Sequence, residues 1–195
     1  MTFSLLCAIV LISSYTFIGG SIKYIDQIID QPLSSHKHPW ILWFLTLNLV
    51  VITALLVFFD YFTAILAIAL VLGLLLTRKV DNKFFAVIAI MVFPIGIWVF
   101  LQLPLTFLLA SLIPLLVSVM IDELLHGVVQ RLSSPTLRRV LAHRPVLKIA
   151  VIILPLFGLL TFVHTIAFWS FDIAYDVVAY SLRAPNTNVN STTCA

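Results

Sequence analysis

Two groups of side chains carry the residue types that chemistry at a phosphate requires. The first is Lys23, Asp26 and Asp30. On a helix, the two aspartates lie about 40° apart around the axis, on one face, with Lys23 a turn earlier. Carboxylates are hard oxygen ligands, so Asp26 and Asp30 are the expected holders of a divalent cation such as Mg2+. The second group is Asp122, Glu123 and His126, in which Asp122 and His126 again share a face. A histidine beside carboxylates suits acid/base work, so these three are the expected catalytic residues. Lys23, Arg78, Lys79 and Arg131 are the expected substrate-binding cations, placed to neutralise phosphate oxygens. Together they describe a metal-dependent enzyme acting on a lipid or prenyl phosphate or diphosphate at a membrane surface.

Plainer readings stand beside each group. Lys23 and Asp26 can be a local ion pair on an exposed helix extension. The run Arg78–Lys83 reads as a positively charged loop with an Asp-Asn turn. His164, Asp172, Asp176 and Tyr180 step by multiples of four and form a stripe on a helix. If that helix crosses a bilayer, its ionisable residues face a protein interior or a water cavity. If it projects into water, the stripe is a solvated face. His36 and His38 are read as loop histidines. No P-loop, nucleophile-elbow or C-x-x-C pattern occurs.

The elements that must position these groups are membrane helices. Hydrophobic residues make up 62% of the 195 and charged residues 10%, with a mean hydropathy of +1.17. A soluble core cannot use that excess, so the fold class is an all-α, polytopic transmembrane helical bundle. Helices are expected near residues 2–30, 40–59, 61–76, 84–101, 105–132 and from 146 onward. The first and fifth extend past the inner membrane surface. Asp60 and Gln102–Pro104 are expected to be tight turns. Residues 146–182 lack a good turn signal, so six spans are expected, with seven as the alternative. Residues 1–182 form one domain, and 183–195 a disordered polar tail.

In the six-span arrangement ten of the eleven Lys and Arg residues fall on one side, and Arg183 on the other. Basic residues gather on the cytoplasmic side, so both termini are expected outside, in the cell membrane. That arrangement leaves the acceptor pattern at Asn190 outside as well. The basic pI signals contact with membrane lipids, including an anionic or prenyl lipid ligand, rather than nucleic acid. Two other functions fit the chain. One is a non-catalytic scaffold or subunit that binds anionic lipid or a partner. The other is a small-solute or ion transporter, which requires charge buried in the membrane. Cys7 and Cys194 have no metal-ligand spacing.

Overall fold

The computed structural model of the protein describes residues 4–30, 39–77, 83–129 and 145–183. All regular structure in them is helical. The elements are α1 (Leu5–Asp30), α2 (Pro39–Phe59), α3 (Tyr61–Leu76), α4 (Lys83–Phe100), α5 (Leu105–Val129), α6 (Pro145–Ile153) and α7 (Phe162–Arg183), with a 3-10 turn at Leu154–Phe157 after α6. The first five follow the expected segments closely. Three are long and apolar enough to cross a membrane: Leu5–Ile29, Trp40–Phe59 and Leu105–Leu125. Tyr61–Leu76, Ala86–Phe100 and Pro145–Phe157 are apolar but shorter.

The central post is α3. Half of its sixteen residues are buried, and α2, α4 and α5 all lie against it. Its Phe62, Ile65, Leu66, Ile68 and Ala69 join Leu108, Leu112, Leu115 and Val119 of α5 in the main core. Around this core, large apolar side chains point outward, among them Leu47, Phe59, Ile90, Trp98, Ile113 and Val177, each about half exposed or more. Helices that are apolar on both faces suit a lipid surround.

The stretch expected to run as one helix from residue 146 is broken. After the 3-10 turn, Gly158 takes φ 71°, a left-handed conformation that costs glycine no Cβ clash. The chain reverses, and α7 returns antiparallel to α6. Lys148 pairs with Asp172 across the two, and the Thr165 hydroxyl donates to the Val151 carbonyl.

The long partner of α7 is α1, and the two run parallel. The Ser170 hydroxyl donates to the Ile12 carbonyl at 3.2 Å. Further along, the Lys23 ammonium lies over the Tyr175 ring, 5.0 Å from its centroid. Then Gln27 Nε2 donates to the Ala179 carbonyl at 3.4 Å. Residue numbers rise together, so the start of α1 and the end of α7 lie at opposite ends of the bundle. The expectation of both termini on one side rests on the six-span layout. It treated residues 146–182 as a single crossing, whereas the Gly158 reversal makes two segments. Asp172 and Asp176, expected across the membrane from Asp26, lie instead on its half of the bundle.

At the closest approach of this pair stands Gly19. A Cβ there would overlap the Phe171 backbone carbonyl. Close backbone approach at a small residue is how membrane helices gain packing without a hydrophobic driving force. Gly19→Val is therefore expected to push α1 off α7 and to lower stability by about 2 kcal/mol. Unfolding by SDS in mixed micelles would read the loss, and a wild-type midpoint would refute the close packing.

Candidate functional site

The most concentrated polar cluster sits where two turns meet. Asp60 is the N-cap of α3. With φ −134° and ψ 108° its backbone is extended, and its carboxylate accepts from the Thr63 N–H at 3.0 Å. The same oxygen, Oδ2, lies 2.5 Å from the Thr63 hydroxyl and 2.5 Å from His164 Nε2. His164, in the first turn of α7, is buried. Its Nδ1 lies 2.6 Å from the Thr161 hydroxyl, at the position just before α7 begins. The Phe62 ring packs against the imidazole at 5.0 Å between centroids.

Donors follow by elimination. An ionised carboxylate only accepts, so Nε2–H and the Thr63 hydroxyl both donate to Asp60. Thr63 has used its one proton, so Tyr15 of α1, 3.0 Å away, donates to the Thr63 oxygen. In the neutral ring, Nδ1 then accepts from Thr161. The result ties α1, α3, α7 and both turns through one carboxylate.

Burial alone would raise the pKa of Asp60, which lies between the α2 and α3 segments. The bonded His164 ring and the Thr63 hydroxyl and N–H outweigh that, so the carboxyl is held below its usual 3.8. A depressed carboxylate stabilises the fold fully above its unfolded value and loses that contribution as pH falls through the folded one. Melting temperature in detergent is therefore expected to stay level from about pH 7 to about pH 5 and to fall steeply below about pH 4. Asp60→Asn is expected to flatten part of that fall. Identical pH profiles for the two proteins would contradict the assignment.

Of the residues expected to form the catalytic centre, Asp122, Glu123 and His126 share α5, while Asp26 and Asp30 lie on α1. Both carboxylate oxygens of Asp122, a buried side chain on α5, accept from the start of α6. Val146 N–H donates to Oδ1 at 3.0 Å and Leu147 N–H to Oδ2 at 2.7 Å. The aspartate is a capping group supplied from another helix, satisfying N–H groups that the first turn of α6 cannot bond internally. Glu123 beside it is also buried. On α1, Lys23 pairs with Asp26 at 2.7 Å. The main neighbours of α1 are α7 and α2, whereas α5 lies mainly along α3 and α6. The Asp30 and His126 side chains, and Arg78, Lys79, Arg131, His36 and His38, lie outside the described residues. Among the described residues, no three His, Cys, Asp or Glu side chains gather closely enough to hold a metal ion.

The α7 stripe divides. His164 is buried, Asp172 is partly buried in its 2.5 Å pair with Lys148, and Tyr180 is 81% exposed. Lys148 also lies over the Trp169 ring, 5.9 Å from its centroid. Asp60 was legible only as a turn residue, and its partner only as one member of that stripe. The available signal was D-x-x-T at 60–63 and T-x-x-H at 161–164, two cap spacings inside apolar sequence. No known protein family, curated protein or solved structure matches the chain.

Proposed function

We propose that this is a multi-pass membrane protein whose cationic end binds anionic lipid at the cytoplasmic leaflet, with seven membrane-embedded helices. The observation that carries this reading is the parallel pairing of α1 with α7. It puts the end of α7, with Arg183, at the end of the bundle where the connections 31–38, 78–82 and 130–144 join their helices. All eleven Lys and Arg residues then fall in those connections or in the adjoining helix halves. The opposite connections hold Asp60 alone among Asp, Glu, Lys and Arg. Such asymmetry orients a chain with its basic end inside, and each cation near an anionic leaflet contributes about 1 kcal/mol of attraction.

This reading moves Asn190 to the inner side, so it carries no glycan. Lys23, Arg78, Lys79 and Arg131 remain the cations that meet lipid phosphate. Phosphate chemistry at Asp122, Glu123 and His126 with Mg2+ at Asp26 and Asp30 is a weaker reading. Asp122 would first have to leave the Val146 and Leu147 N–H groups.

The native cysteines test the arrangement. In a Cys7→Ser background, Cys194 is expected to resist a membrane-impermeant maleimide in intact cells and to react after permeabilisation. Labelling in intact cells would restore the six-span layout. For the lipid, phosphatidylglycerol is expected to raise the melting temperature in neutral detergent by roughly 5 °C, and phosphatidylcholine not to. High salt should shrink the difference. Equal shifts with both lipids would remove the case for anionic recognition.

A further inference from the structure

The parallel pair of α1 and α7 is tight at one position and open at the next. At Gly19 the two backbones meet, but a Cβ at Gly20 would find only the Val178 side chain, at an ordinary 3.6 Å. The absent side chain of Gly20 and the small one of Ala174 leave a groove of about 550 Å3 between the helices. Phe17 on one side and Ile173 and Val177 on the other are its exposed rims. The Thr16 hydroxyl in its wall donates to the Ile12 carbonyl at 2.8 Å. The Ser170 hydroxyl is likewise spent on the Ile12 and Ala167 carbonyls. What faces outward is therefore almost wholly hydrocarbon.

Depth and width select the occupant. Thr16 stands near the middle of the apolar stretch Leu5–Ile29. The helices advance in step, Lys23 beside Tyr175 and Gln27 beside Ala179, so Val177 and Val178 lie about level with Ile25 and Asp26. From Ser170 to Val178 the groove runs about 12 Å toward the cationic end, within the roughly 15 Å of hydrocarbon in one leaflet. Spread over that length, a volume of about 550 Å3 is a mean cross-section of about 45 Å2, against about 80 Å2 for a helix 10 Å across. The groove is too narrow for a helix of a second copy and wide enough for extended acyl chains. Beyond it come Arg183, exposed at the end of α7, and the connection 31–38, which contains Lys37.

We propose that this groove seats an acyl chain of an anionic phospholipid from the leaflet at the cationic end, with the lipid phosphate held by the cations beyond it. The headgroup half rests on the lipid reading above, whereas the chain's seat rests on the groove alone. Bilayer tails are as apolar as the groove, so seating by itself does not choose among lipids. The cations choose the phosphate, and the groove fixes where the chosen lipid stays.

The test places the purified full chain in phosphatidylcholine nanodiscs containing a little phosphatidylglycerol with a diazirine near the end of one acyl chain. Adducts formed on illumination are mapped by mass spectrometry. In the parent they are expected at residues 16–21 and 170–178, enriched about fivefold over the exposed faces of α2 and α5, as the attraction of one cation provides. Gly20→Leu and Ala174→Leu each fill the groove from its floor and leave the Gly19 contact in place. Both are expected to abolish the enrichment, with circular dichroism checking the fold. If one variant does not fold, the other carries the comparison. No enrichment in the parent overturns the proposal, as does enrichment kept in a folded leucine variant. A parent dimer that Gly20→Leu makes monomeric also overturns it, in favour of a second copy on this face. Equal enrichment by a phosphatidylcholine diazirine probe overturns the anionic reading and separates its failure from that of the groove.

Discussion

Asp60→Ala is expected to destabilise the bundle by about 4 kcal/mol, the largest effect of any single change considered. The carboxylate is at once the cap of α3, the acceptor for the Thr63 hydroxyl and the partner of the His164 ring. Its removal leaves the imidazole N–H and the Thr63 N–H buried without their acceptor, and each such donor costs about 1–3 kcal/mol. An isolated cap would lose only about 1 kcal/mol. Reversible SDS unfolding in mixed micelles separates the two cases. His164→Ala should show a comparable loss, and the double variant much less than the sum, because both remove the same contact. Additive losses would mean that the pair is not coupled.

Asp122→Ala is expected to cost about 3 kcal/mol. Here the loss falls on α6, whose nine α-helical residues are too few to be stable alone. Two of its first N–H groups lose a charged acceptor at a buried site. Local effects should therefore exceed global ones. Hydrogen exchange is expected to speed first at Val146 and Leu147 and then along α6, while α3 keeps its protection. Asp122→Asn retains one acceptor oxygen and is expected to recover about half of the loss. Uniform exchange across the molecule would instead assign Asp122 to the global core.

Much of the architecture can be read from residue types. Asp60 between Phe59 and Tyr61 interrupts an apolar run too long for one crossing, which placed the α2–α3 turn to the residue. The α1 extension to Asp30 was likewise legible, because Pro32 limits how far a helix continues. The α6–α7 reversal was legible only as the seven-span alternative. Its residues, Leu-Pro-Leu-Phe-Gly-Leu-Leu, are mostly apolar, because the turn packs against the core: Leu154 and Leu160 are buried, and the Leu159 carbonyl accepts from Ser111. Turn signals expected of an aqueous loop are weak there, and Pro155 and Gly158 read equally well as a kink. Taking 146–182 as one segment separates Asp172 and Asp176 from Asp26, whereas the contacts of Tyr175 with Lys23 and of Ala179 with Gln27 set that half of α7 beside the same half of α1.

The candidate site was less legible than the fold, for a related reason. Spacing along one helix cannot show which helix lies opposite. Asp122 and His126 do share a face by periodicity, but the partner that faces Asp122 is the backbone of α6, which carries no sequence signal. The pairing of Asp60 with His164 spans 104 positions and depends wholly on tertiary placement.

The lengthwise pairing of α1 with α7 also bears on how the chain is made. α1 leaves the ribosome well before α7, its principal neighbour, and about 130 residues of synthesis separate them. At 5–20 residues per second, α1 waits about 6–26 s for its partner. During that wait the side of α1 that bears Gly19 has no mate, and Tyr15 has only Thr63 of α3 to hold it. Assembly of these helices therefore closes last at the seam between α1 and α7, so nascent chains stalled before residue 162 should be the ones offered to membrane chaperones and proteases.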